Sequence, residues 1–239
     1  MAEDTKTFGA GRWLAEILHS LGSYRTIHQF ITSSEALGAY LSTVEVMTGG
    51  EQGLQVSNDP ESIEHWHGTI SSDVKKASSF YDGQMVVLAS TYFELILKDF
   101  LLAAFTRHPD KMYDFIQTGS DQVQRGVVSL KEIVKADSLP QLLSTLADQA
   151  TEKIVRSRFP TQLKQLAKVA GHDVPPELKD RLTGLVARRN RIVHEASAER
   201  VEEADVEAAL DTCLDTVRFL AEAAATTSIP LDEYQKFGL

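Results

Sequence analysis

The stretch Leu178-Lys179-Asp180-Arg181-Leu182-Thr183-Gly184-Leu185-Val186-Ala187-Arg188-Arg189-Asn190-Arg191-Ile192-Val193-His194 spaces its apolar residues three and four apart. Leu178, Leu182, Leu185, Val186, Ile192 and Val193 thereby share one side of a helix turning about 100° per residue. Pro175-Pro176-Glu177 puts proline and an acid in the first turn, and the helix is expected to end near Ala196. Val206, Leu210, Leu214, Val217 and Leu220 repeat the spacing over Val201–Thr226, before Thr227-Ser228-Ile229-Pro230 breaks it. These two segments predict an all-α fold, an antiparallel helical bundle.

Working back towards the N-terminus, Phe80–Thr106 carries Val87, Thr91, Glu94, Lys98, Leu101 and Phe105 along one line. Phe93, Ile96, Leu97 and Phe100 lie beside it. A helix apolar around so much of its circumference is expected at the centre of the bundle. It stops before Arg107-His108-Pro109-Asp110, because proline disfavours helix at the residue before it. A short helix over Lys111–Gln117, a weaker segment over Ser120–Lys135, a helix over Pro140–Arg156 and another from Phe159 to Gly171 complete the set. Trp13–Val46 predicts two short helices around Gly22-Ser23, and Thr48–Pro60, rich in Gly, Ser, Asn and Pro, reads as a linker. Extended structure near Leu54–Val56 or Gly68–Ile70 remains open. The expected organisation is an N-terminal helical extension over 1–70, a bundle over 74–226 and a tail over 227–239.

The chain has 239 residues and a formal net charge of −10, which argues against non-specific coating of nucleic acid. It has no run of about 18 apolar residues that would span a membrane. Its N-terminus lacks the basic-then-apolar order of a secretory signal. Cys213 is the single cysteine, which excludes an internal disulfide framework and a cysteine-rich zinc site. A cytosolic location is the expectation. The charge is uneven: from Leu178 to Arg200 six basic side chains face three acids, whereas from Val201 to Leu239 nine acids face two bases. A basic patch on an acidic protein suits a selective polyanion site.

With Arg189 set at zero on the helical wheel, Leu182, Leu185 and Val193 fall within about 40° of it. A guanidinium in an apolar stripe needs a partner or a wet cleft. Asn190 and His194, four apart, stack at the border of the stripe, while Arg188 and Arg191 are expected to point to solvent and add positive field. His194 sits in the last turn, where the negative end of the helix dipole favours a protonated ring, and histidine is the usual side chain for proton transfer. A guanidinium fork matches phosphate oxygens. The combination suits phosphoryl transfer on RNA, with attack by the ribose 2′-hydroxyl and no metal or other cofactor required.

Arg189-Asn190-Arg191-Ile192-Val193-His194 resembles the Arg-Asn-x-x-x-His motif of the HEPN superfamily. The acidic Glu202-Glu203-Ala204-Asp205-Val206 that leads into the last helix is similar too. Thr91-Tyr92-Phe93-Glu94-Leu95-Ile96-Leu97-Lys98 resembles the long first bundle helix of RiboL-PSP-type members. The resemblance covers about Val74 to Ala225. It implies a metal-independent endoribonuclease whose catalytic residues map to Arg189 and His194, with Asn190 as polar neighbour and Glu94 as a candidate to orient the arginine. It also implies RNA as substrate, with Arg188 and Arg191 as RNA contacts. Members commonly work as homodimers joining two motifs in one cleft, as toxins with an inhibitory antitoxin partner or in antiviral defence.

Two other readings compete. One is a non-catalytic HEPN module that binds RNA, nucleotide or a protein partner; the other is a helical interaction protein in which Arg189 bridges Glu94. His65-Trp66-His67 lacks a nearby third metal ligand, Gly9-Ala10-Gly11 lacks the strand that precedes a dinucleotide fingerprint, and Cys213 falls at packing positions beside Leu210, Leu214 and Val217.

Overall fold

In the computed structural model, which describes residues 6–50, 53–116, 128, 130–195 and 200–232, the fold is all-α. The helices are α1 (Ala10–Thr32), α2 (Ser34–Leu41), α3 (Pro60–Arg107), α4 (Leu130–Lys135), α5 (Leu139–Val155), α6 (Phe159–Ala170), α7 (Pro176–His194) and α8 (Glu203–Thr226). A short 3₁₀ turn spans Pro109–Met112. One antiparallel hairpin, β1 (Met47–Gly50) with β2 (Gly53–Val56), pairs Met47 with Val56 and Gly50 with Gly53.

α3 is the axis of the molecule. Phe93, Ile96, Leu97, Phe100, Leu101 and Phe105 are all buried, as expected of a central helix, and α1, α5, α7 and α8 pack around them. Of the line of residues read from sequence, Thr91 and Glu94 are exposed and Lys98 is half-buried. Lys98 Nζ donates to Glu152 Oε1 on α5 at 2.6 Å. The helix is far longer than its apolar pattern, at 48 residues or about 72 Å. It opens on Asp59, whose side chain accepts from the Ser62 backbone N–H at 3.1 Å, followed by Pro60. Its first buried residue is Ser78, so the segment before it is an arm beyond the core. Gly68–Ile70 is helical, and the extended structure lies at 53–56.

α1 is one helix, not two. Gly22 costs a helix about 1 kcal/mol, but Leu14, Ile17, Leu21 and Tyr24 are buried against α8 and α3 on either side of it. The break comes at Ser33, which caps α2 by accepting from the Ala36 backbone N–H at 3.2 Å. α1 therefore belongs to the bundle rather than to a separate N-terminal extension. Its first turn lies where Gly9-Ala10-Gly11 was read, and distant carboxylates satisfy its amides. Asp99 Oδ2 accepts from Gly9 N at 3.0 Å and from Trp13 Nε1 at 2.9 Å, and Asp232 accepts from Gly11 N at 2.9 Å and from Arg12 N at 3.0 Å. The residues after α8 are tied down as well: Phe8 N donates to Pro230 O at 2.8 Å, and Phe8 meets Phe100 edge to face at 5.5 Å.

α5 and α6 follow their sequence signals. Ser138 and Pro140 open α5, and Gly171, at φ +85°, closes α6 in the left-handed conformation that glycine adopts without strain. Of the helix expected over Lys111–Gln117, Lys111 and Met112 close the 3₁₀ turn, 113–116 are not helical, and Gln117 lies outside the described residues. Residues 117–127, most of the weaker segment, lie outside the described residues, as does Ala196. On α8, Val206, Leu210, Leu214, Val217 and Leu220 are all buried. Cys213 is buried among them, donating to Ala89 O at 3.1 Å, and burial pushes its thiol up to about 12. No helix among the described residues is long and apolar enough to cross a membrane.

Candidate functional site

α7 lies against both α3 and α8 through Leu178, Leu182 and Leu185. It runs antiparallel to α3. A methyl on Gly83 would stand 3.7 Å from Ile192 Cγ2, while Val86 lies beside Leu185 and Arg188. With Arg189 at zero on the wheel these three leucines stand at about −20°, +20° and −40°, so the buried face is centred within about 20° of Arg189, on its Leu185 side.

Arg188 is turned towards α8, not to solvent. Its Nη1 lies 2.5 Å from Asp205 Oδ1, with both side chains about one-third exposed. Seven residues earlier on the same side, Arg181 Nη2 donates to Asp215 Oδ2 at 2.6 Å, and Arg218 Nη1 also reaches Asp215, at 2.8 Å. The two ion pairs are rungs of a clasp between antiparallel helices. Burial opposes ionisation of Asp205, but the Arg188 guanidinium and the Glu202 backbone N–H outweigh it and hold the carboxyl below the usual range. Asp215 is likewise held down by Arg181 and Arg218 against the cost of its burial. Asp205 also closes a capping box with Glu202 at the start of α8.

Arg189 is half-buried, and its Nη1 donates to Asn190 Oδ1 at 3.2 Å. Asn190, Val193 and His194 are exposed, and His194 is the last residue of α7. The first two members of the motif are thus joined by a hydrogen bond. His194 lies five residues on, about 140° around the helix from Arg189. Glu94 is not brought to the arginine. At 1.5 Å rise per residue it stands roughly 12 Å along α3 beyond the level of Arg189, and no ion pair connects the two. Arg191 borders the cleft between α7 and α3.

Sequence reasoning missed two features. The first is a polar cluster inside the bundle. Tyr24 Oη donates to Asp82 Oδ1 at 2.9 Å, and His28 stands 3.7 Å from Asp82 and 3.6 Å from Glu203. Burial, then the bond to Asp82, pushes the Tyr24 phenol far above its ordinary range. The second is the α3 wall of the α7 cleft, where Lys76, Phe80 and Gln84 stand four apart on one face. That spacing is visible in the sequence. His65 and His67 lie on α3, where two residues apart means about 200° of rotation, so they do not face the same way. Among the described residues no group of three or more histidine, cysteine, aspartate or glutamate side chains is placed to hold a metal ion.

An all-α bundle carrying Arg189, Asn190 and His194 at the end of its seventh helix is the class the coordinates define. The chain matches no protein-family model, no curated protein and no solved structure.

Proposed function

We propose that this protein is a metal-independent endoribonuclease of the HEPN type, working as a homodimer on RNA. The observation that carries the reading is the Arg189–Asn190 hydrogen bond, which presents a guanidinium at the rim of an exposed helix end that also bears His194. In the reaction the ribose 2′-oxygen attacks the adjacent phosphorus and its proton passes to a general base. The bond from phosphorus to the 5′-oxygen breaks, and the leaving oxygen takes up a proton. The products are a 2′,3′-cyclic phosphate and a 5′-hydroxyl. Arg189 stabilises the extra charge on the pentacoordinate phosphorus, and His194 carries a proton. Arg189 supplies charge and His194 one of the two proton transfers, and the histidine of a second copy supplies the other.

The 140° between Arg189 and His194 favours a second copy, because one α7 directs its arginine and histidine to different sides. Two antiparallel motifs facing each other place the arginine of one chain opposite the histidine of the other. A role as a toxin or antiviral effector, held in check by an inhibitory partner, belongs to the same proposal.

Cleavage of mixed structured and unpaired RNAs in EDTA tests it, with Arg189→Ala and His194→Ala alongside. Expected are 2′,3′-cyclic phosphate ends from the parent and a loss of at least about a hundredfold in each variant, with circular dichroism unchanged. Equal cleavage by His194→Ala and the parent would overturn the reading.

A further inference from the structure

Next to the motif, between α3 and α7, lies a cleft of about 610 Å³, within the range of small-ligand sites. Lys76, Phe80, Gln84 and Val87 form its α3 wall, and Arg191 and Val193 stand on the α7 side. Among the described residues Lys76 and Arg191 are the charged side chains that line it, in a chain whose net charge is −10. Phe80 is 69% exposed and Val193 44% exposed, so two apolar surfaces face the same cleft. Among the described residues Lys76 pairs with Asp73, three residues before it, at 3.0 Å. An ion pair this exposed yields readily to a phosphate oxygen. Gln84 offers an amide with both donors and an acceptor.

An exposed aromatic ring between cations is the arrangement that holds an unpaired nucleotide: the base stacks and the phosphates meet the charges. Arg191, Ile192 and Val193 belong to the same short run as Arg189 and His194, so a strand bound here passes the motif. We infer that the cleft seats one unpaired nucleotide of an RNA strand next to the scissile phosphate. The base lies against Phe80 and Val193, the phosphates face Lys76 and Arg191, and Gln84 meets the edge of the base. The identity of the ligand as RNA rests on the ribonuclease reading, but its binding is measurable without cleavage.

The test uses full-length protein carrying His194→Ala and a fluorescein-labelled, unpaired RNA of mixed sequence, followed by anisotropy. Adding Phe80→Ala is expected to weaken binding about tenfold, while Phe80→Trp keeps it within about twofold because the stacking face remains. Lys76→Gln weakens binding and flattens its salt dependence by about one phosphate contact. In the parent background, Phe80→Ala raises KM and leaves kcat unchanged. Light scattering on each variant reports its oligomeric state. Equal affinity for Phe80→Ala and its background, in a protein that cleaves RNA, would remove the nucleotide seat and leave the ribonuclease standing. Loss of binding together with dissociation to monomers, in both Phe80→Ala and Phe80→Trp, would make this face an interface between copies and overturn the proposal. A parent that neither binds nor cleaves RNA would overturn both readings.

Discussion

Replacing Arg188 by alanine removes one rung of the α7–α8 clasp, and the structure fixes how large the effect is. The pair to Asp205 is short, at 2.5 Å, and its two side chains are 32% and 29% exposed. Fully exposed pairs contribute a few tenths of a kcal/mol; a charge-assisted, partly shielded one sits at the upper end, about 1 kcal/mol. For a chain of this length that is a fall in Tm of about 2–4 °C. Asp205→Ala loses more, because the same carboxylate accepts from the Glu202 backbone N–H at 3.1 Å and caps α8. The cap adds about 1 kcal/mol, so the total is about 2 kcal/mol. The double variant isolates a coupling of about 1 kcal/mol. The pH dependence has a definite sign. Asp205 is held below its ordinary range, so its contribution is complete above the unfolded carboxyl value and disappears as pH falls through the lower folded one. The gap between parent and Arg188→Ala therefore closes below about pH 4. Thermal and urea unfolding followed by circular dichroism at neutral and acid pH measure all of this. An Arg188→Ala protein with an unchanged Tm but much weaker RNA binding would refute the clasp and restore Arg188 as an RNA contact.

Two further outcomes concern the interior. Tyr24→Phe removes the hydroxyl that satisfies Asp82 inside the bundle and is expected to destabilise by about 1–3 kcal/mol in urea unfolding. Because the folded state holds the phenol protonated well above its ordinary value, the parent loses stability as pH rises past about 10, a loss that Tyr24→Phe lacks. Thr151 on α5 is fully buried, and among the described residues its Oγ1 has no hydrogen-bond partner. Thr151→Val keeps the shape, removes the unsatisfied oxygen and should raise Tm by about 2–4 °C; a lower Tm would show that the hydroxyl is satisfied in solution.

What could be read from sequence followed the core. The stripes of α7 and α8, the proline opening α7 and the stop of α6 at Gly171 all report on faces buried against other helices, and burial is what hydrophobic periodicity records. The first part of α3 has no such record, since nothing before Ser78 is buried. Its entry, Asp59-Pro60, falls at the end of the segment Thr48–Pro60 that reads as a linker. α1 was divided at Gly22 on local propensity, and packing on both sides overrode it. Arg189, Asn190 and His194 lie in the last turns of α7, but the sequence does not show their surroundings, because a wheel drawn for one helix does not say which neighbours cover it.

That limit explains the arginines. A wheel for α7 shows its apolar stripe but not how far the neighbouring helices reach around its flanks. Arg188 stands about 60° from Leu185, on the flank where α8 meets it with Asp205. Arg181, seven residues earlier and only about 20° away, finds Asp215 by the same geometry. Arg189, half-buried within the stripe, bonds to Asn190, and Arg191 borders the α3 cleft. The basic run that reads in sequence as one polyanion patch is therefore divided by packing. Two of its charges hold helices together, one belongs to the motif and one borders the cleft. The acidic segment after it supplies the partners of the first two, Asp205 and Asp215.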